Sequence, residues 1–98
     1  MKQKPKYAQG ELNTPAQHHV NSIIMEIACD LAGKLTEQEC KRKKIKVFQK
    51  VDGETSYTED AQDIFNSLYD EKMDEVYSFA NTIKGAITHE KLSNHYGI

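Results

Sequence analysis

The chain has 98 residues, of which 38% are hydrophobic, and a formal net charge of −2 at pH 7. This length supports one domain with a modest core and leaves little room for an enzyme cleft beside it. No apolar stretch reaches the roughly 20 residues of a membrane-spanning helix, and the lysine-bearing N-terminus lacks the apolar segment of a signal peptide. These features favour a cytoplasmic protein without a membrane partner.

The small net charge hides a polarised distribution. Residues 1–50 carry ten basic and five acidic side chains, whereas residues 51–98 carry three and ten. The contrast is sharpest between residues 41–50, with six basic side chains and no acidic one, and residues 52–75, with nine acidic side chains and one lysine. This pattern predicts that the two segments either lie side by side or face partners.

The N-terminal residues contain little that a core could bury. Ordering them would cost chain entropy without a matching hydrophobic gain. We therefore predict a flexible N-terminal tail over residues 1–13 and a single helical domain over residues 14–98.

The first helix is predicted to begin at Thr14-Pro15, where a capping residue precedes a proline at the first helical position. Apolar residues then recur at intervals of three and four; they are Ala16, Val20, Ile23, Ile24, Ile27, Leu31 and Leu35. Gly33 predicts the end of this helix, because glycine readily adopts the left-handed conformation found there. Met25 and Cys29 widen the apolar face, so we expect Cys29 to be a buried thiol that packs as a small hydrophobe.

A second helix is predicted to begin at Thr36, which forms a capping box with Glu39. The sequence allows two structures for residues 44–58. Alternating apolar residues and the turn sequence Asp52-Gly53 favour a β-hairpin, whereas the same apolar residues also fit a helical stripe. The predicted fold is mainly α, with two main antiparallel helices, short helices and this hairpin, and α+β is the alternative.

Thr58 is predicted to cap the longest helix, because acidic residues fill the turn that follows it. Its early apolar face consists of Ala61, Ile64, Phe65 and Leu68. Apolar residues then recur in alternating steps of four and three, as Tyr69, Met73, Val76, Ala80, Ile83 and Ile87. This seam lasts only about three heptads, so it favours packing against the first helix over a coiled coil. Residues 88–98 resemble the first helix and turn of a helix-turn-helix motif without its base-reading second helix, and we predict a short terminal helix there.

No arrangement of residues in the sequence indicates catalysis. The histidines and cysteines lack the spacing of metal ligands; they are His18, His19, His89, His95, Cys29 and Cys40. There is no phosphate-binding loop, dinucleotide fingerprint or nucleophile motif. The sequence therefore predicts a non-enzymatic protein with no metal site and no cofactor.

The predicted longest helix carries the residues that we predict to bind a partner: Asp63, Asp70, Glu71, Asp74 and Glu75. Acidic side chains at these positions suit a basic protein surface, and complementary charge speeds association and sets register. The leading hypothesis is a small regulator or inhibitor that binds a protein partner through charged helical surfaces, either alone or as a homodimer.

The basic segment supports an alternative hypothesis, a nucleic-acid-binding accessory protein that uses residues 41–50. Its candidate phosphate-binding residues are Lys41, Arg42, Lys43, Lys44 and Lys46. Phe48 and Tyr57 would supply base stacking if residues 44–58 form a hairpin. A third interpretation is internal pairing, in which the basic segment lies against the acidic helix.

Overall fold

The computed structural model describes residues 15–98, with side chains from residue 18 onward. Its elements in chain order are α1 (Pro15–Lys43), β1 (Phe48–Val51), β2 (Glu54–Tyr57), α2 (Glu59–Ala80) and α3 (His89–Tyr96). Helices α1 and α2 pack against each other in antiparallel directions, which confirms the predicted mainly helical fold. The predicted tail over residues 1–13 and the predicted cap at Thr14 lie outside the described residues.

Helix α1 continues through both positions at which the sequence predicted a break. It spans 29 residues, so the predicted helix end at Gly33 and helix start at Thr36 are wrong, and α1 rather than α2 is the longest element. Glycine in a helix interior costs only about 1 kcal/mol, and beyond it α1 still buries Thr36 and Cys40 completely. The Thr36 hydroxyl donates to the Ala32 carbonyl oxygen at 2.7 Å, one turn earlier, instead of capping a new helix.

The C-terminus of α1 is closed by backbone hydrogen bonds around Lys44. The N–H of Lys44 donates to the Lys41 carbonyl at 3.3 Å, and the N–H of Ile45 donates to the Cys40 carbonyl at 2.8 Å. This pair of bonds is a Schellman motif, whose left-handed residue is usually glycine. Lys44 occupies that position with a φ of 59°. The turn therefore holds a non-glycine residue in a conformation that costs it free energy.

Residues 48–57 form a β-hairpin, which decides between the two alternatives for this segment. Its two turn residues, Asp52 and Gly53, have φ angles of 53° and 81°, as a two-residue hairpin turn requires. Phe48 pairs with Tyr57 across the strands. The Tyr57 ring lies between those of Phe48 and Phe65, with centroid distances of 5.4 and 5.6 Å. These ring contacts hold the hairpin against α2.

Helix α2 begins as predicted, because the Thr58 hydroxyl accepts a hydrogen bond from the N–H of Ala61 at 3.3 Å. It ends at Ala80, so the prediction that its apolar seam continues as a helix through Ile83 and Ile87 is wrong. A turn follows, in which the N–H of Ile83 donates to the Ala80 carbonyl at 3.1 Å. Both isoleucines nevertheless pack against the core.

The core lies between α1 and α2 and is completed by α3. Its buried residues are Ile23, Ile24, Ile27, Ala28, Met73, Val76, Ala80 and Leu92. The predicted short terminal helix is confirmed as α3, which begins after Thr88 and ends at Gly97 in the left-handed conformation. Met25 is 47% exposed and Cys29 is also exposed, so their predicted burial is wrong. The other elements cover only part of the broad apolar face of α1, and they leave these two residues in contact with solvent.

None of the described helices is long and apolar enough to cross a membrane.

Candidate functional site

The five predicted partner-binding residues are all exposed on α2. At 3.6 residues per turn they fall within about 140° of the helix circumference. We call this surface the acidic arc; it consists of Asp63, Asp70, Glu71, Asp74 and Glu75. Met73 and Val76, on the other side of α2, are buried in the core. The fold therefore turns the acidic arc outward.

One lysine of α2 contacts the acidic arc. The Lys72 ammonium lies 2.8 Å from a Glu75 carboxylate oxygen and 4.0 Å from one of Glu71, and its side chain is 17% exposed. Two of the five carboxylates thus share one cation. Because both carboxylates are exposed, these ion pairs contribute little to stability. The arc together with Lys72 keeps a formal charge of −4.

The basic segment lies at the C-terminal end of α1, and its basic side chains are exposed. Lys41, Arg42 and Lys43 form the last turn of the helix, where positive charge meets the negative end of the helix dipole. Lys44 and Lys46 follow in the loop before β1, and both are exposed. Part of this basic cluster therefore has a structural explanation, since it stabilises the end of α1.

Glu39 holds two of the basic side chains within α1. Arg42 donates through Nε and Nη2 to the two Glu39 carboxylate oxygens, at 2.9 and 2.8 Å. The Lys43 ammonium lies 3.5 Å from one of the same oxygens. The hydrogen bonds from Arg42 lower the pKa of Glu39 to about 2 and raise the pKa of Arg42. Arg42 and Lys43 thus form these ion pairs with a residue of their own helix, Glu39.

The two predicted charged sites meet at a groove between the C-terminal part of α1 and the N-terminal part of α2. Its volume is about 630 Å³. Three half-buried apolar side chains line its floor: Leu35, Ile64 and Leu68. Polar and charged residues line its walls: Gln38, Glu39, Arg42 and Lys43 on α1, and Asp63 and Ser67 on α2. We call this surface the α1–α2 groove.

The sequence identified the groove floor only as part of the apolar helix faces. Periodicity indicates which side chains avoid water, but it does not distinguish a sealed core from an open groove. Leu35, Ile64 and Leu68 fit the apolar pattern and yet stay half-exposed. Their role as a groove floor depends on how α1 and α2 pack around them.

The hairpin presents an aromatic side chain between two lysines. Phe48 is 45% exposed and stacks on Tyr57 with the ring planes 8° apart. Lys46, Lys50 and Thr55 join Phe48 around a shallow depression of about 320 Å³. This arrangement suits a planar group beside a negative charge.

Two histidines of α3 have contacts that explain them structurally. His89 Nε2 lies 3.5 Å from a Glu26 carboxylate oxygen on α1, and the His95 ring stacks on Phe79 with a centroid distance of 3.6 Å. Within the described part of the chain, no three His, Cys, Asp or Glu residues are placed to hold a metal ion.

The structure thus defines a small, mainly helical protein with an acidic outer surface, an exposed basic helix end and an open groove between them. Comparison of the chain with protein-family models, with curated proteins and with solved structures found no match. Evidence for its function comes from its own surfaces.

Proposed function

We propose that the protein is a non-enzymatic regulator or inhibitor that binds a protein partner through the acidic arc. The observation that carries this proposal is the placement of five exposed carboxylates on one side of a helix whose other side is packed into the core. Because the helix backbone is held by that packing, the backbone positions of these five residues keep a fixed spacing. Asp63 and Asp70 are separated by about 10.5 Å along the axis, and Asp70 and Asp74 by about 6 Å.

A basic surface with Lys or Arg side chains at a matching spacing is the partner chemistry that fits this arc. Charge complementarity of this kind raises the association rate and fixes the register of docking more than it adds affinity. We therefore expect an association rate that falls as ionic strength rises.

The proposal is tested with a variant that carries D63N, D70N, E71Q, D74N and E75Q together. The partner is first captured on the tagged wild-type protein, and its association rate with both proteins is then measured by surface plasmon resonance. We expect the variant to associate at least about ten-fold more slowly. A control with E37Q and E90Q, two exposed acids outside the arc, should associate at the wild-type rate. An unchanged rate for the five-fold variant would rule out the acidic arc as the binding surface.

A second candidate function is nucleic-acid binding by the basic segment, and the exposure of Phe48 between Lys46 and Lys50 favours it. Binding of a single-stranded oligonucleotide is measured by fluorescence anisotropy at several salt concentrations. This function predicts that the logarithm of affinity falls linearly with the logarithm of salt concentration. It also predicts that F48A weakens binding, since one stacked base contributes about 1–3 kcal/mol, whereas V51A at a comparably exposed hairpin position does not. A flat salt response would remove this candidate.

A further inference from the structure

We infer that the α1–α2 groove is the interface of a symmetric homodimer and that its occupant is a second copy of this chain. The groove shares only one residue, Asp63, with the acidic arc. The sequence left open whether the protein acts alone or as a homodimer, and this interface would form whether or not the arc binds another protein.

The floor of the groove supplies the apolar contact that such an interface requires. Leu35, Ile64 and Leu68 are half-buried in the single chain, so each leaves apolar surface in contact with water. A second copy offers the same three side chains. Two helix pairs that face each other through such rows form a four-helix bundle, in which the rows become its core.

The walls of the groove carry opposite charges. On α1 the wall holds Arg42 and Lys43, with Glu39 bound to both, and therefore carries a formal charge of +1. On α2 the wall holds Asp63 and Ser67, with a formal charge of −1. Both charged positions lie at one end of the helix pair, because the end of α1 is next to the start of α2 in the antiparallel arrangement.

A two-fold axis parallel to the groove makes these walls complementary to themselves. Rotation about such an axis keeps the position of each residue along the groove and exchanges the two sides of the groove. As a result, α1 of one copy lies over α2 of the other. Arg42 and Lys43 of each copy then face Asp63 of the second copy. Every pair of neighbouring helices in this arrangement is antiparallel, as in an up-down four-helix bundle.

The alternative two-fold axis, across the groove, is disfavoured by the same charges. It would place α1 over α1 and α2 over α2, so that the basic wall of one copy no longer faces the acidic wall of the other. The groove therefore selects one orientation of the dimer. In this arrangement the apolar floor supplies affinity and the charged walls supply orientation.

The experiment is sedimentation equilibrium of the full chain and of two charge-reversed variants, from micromolar to millimolar concentration. R42E/K43E makes both walls acidic, and D63K/S67K makes both walls basic. We expect the wild type to form dimers and each variant alone to have a dissociation constant at least about ten-fold higher. An equimolar mixture of the two variants should form heterodimers, because each acidic wall then faces a basic one.

A matched pair of serine substitutions separates the groove from general effects of added charge. Both serines are exposed, Ser67 in the groove wall and Ser56 on β2. S67R should therefore weaken the dimer while S56R leaves it unchanged, with circular dichroism confirming that all variants are folded.

Three results would overturn the inference: a wild type that stays monomeric at millimolar concentration, a dimer that is insensitive to S67R and to both charge reversals, or a mixture that fails to restore dimers. A strictly monomeric protein would leave the groove to a segment of another protein. These outcomes do not bear on partner binding by the acidic arc, because the measurements use this protein alone.

Discussion

Replacing Gly33 by alanine is expected to stabilise the protein. Gly33 lies in the interior of α1, where alanine is the most favourable residue and glycine one of the least favourable. A Cβ atom at this position would have the Tyr57 hydroxyl oxygen, at 3.9 Å, as its nearest neighbour. Since that distance is an ordinary van der Waals contact, the added methyl group fits without any movement of Tyr57 or α1.

The expected gain follows from the difference between the two residues in a helix interior. Alanine is more favourable there by about 0.5–1 kcal/mol, partly because glycine loses more conformational freedom on folding. For a domain of this size, 1 kcal/mol corresponds to a shift of about 4–8 °C in Tm. We therefore expect G33A to raise Tm by about 2–8 °C.

Thermal and urea unfolding followed by far-UV circular dichroism measure this change. Gly97→Ala is the matched control: Gly97 has a φ of 71°, and a Cβ added there would meet no atom within 4 Å beyond its chain neighbours, so space does not limit the substitution. Alanine is strained in that left-handed conformation, and G97A should lower stability by about 1 kcal/mol. The same chemical change is thus expected to have opposite signs at the two positions.

A lower Tm for G33A would refute the reasoning. It would mean that Gly33 adopts a conformation closed to alanine, as the helix end predicted from the sequence would require, or that Tyr57 packs more tightly against α1 than the 3.9 Å distance allows.

Three further predictions concern helix ends. K44G should stabilise the protein by about 0.5–1 kcal/mol, because glycine adopts the left-handed conformation of residue 44 without strain. K44A removes the same charge but should not stabilise the protein, and equal urea midpoints for the two variants would contradict this prediction. The pKa of Glu39 is about 2 in the folded protein against an ordinary 4.5, so the stabilisation from its carboxylate is present above pH 4.5 and is lost as pH falls towards 2. In R42Q the Glu39 pKa should rise towards 4.5, as followed by NMR titration of its carboxyl carbon, and an unmoved titration would show that Arg42 is not the cause. T58A should destabilise the protein by about 1 kcal/mol, since it removes a hydroxyl that accepts a hydrogen bond from the Ala61 N–H and donates one to the Lys46 carbonyl at 2.6 Å. T55A, at an exposed hairpin position, is the control, and equal losses of stability for the two variants would argue against a structural role of the Thr58 hydroxyl.

The parts of the fold that could be predicted from the sequence are those held by contacts between residues close in the chain. The turn at Asp52-Gly53 needs two residues that tolerate positive φ, and the chain supplies them between two short strands. The caps at Thr58 and Thr88 each accept a hydrogen bond from an N–H three residues later. Such contacts form whichever way the rest of the chain folds, so their residue types identify them.

The acidic arc is also local, because helical periodicity alone places its five carboxylates on one side of α2. Their exposure follows from the buried face opposite, which the sequence marks with Met73 and Val76.

The continuity of α1 and the groove were decided by tertiary structure. Gly33 and Thr36 carry the local features of a helix end and a helix start, yet burial of Thr36 and Cys40 against the rest of the fold outweighs them. Whether Cys29 is buried or exposed depends on which side of α1 the other elements cover. Arg42 and Asp63, 21 positions apart in the chain, line one groove only because α1 and α2 pack antiparallel. Local sequence determines which element a residue joins, whereas the packing of whole elements determines what that residue faces, because the free energy of burial depends on all the surfaces that meet.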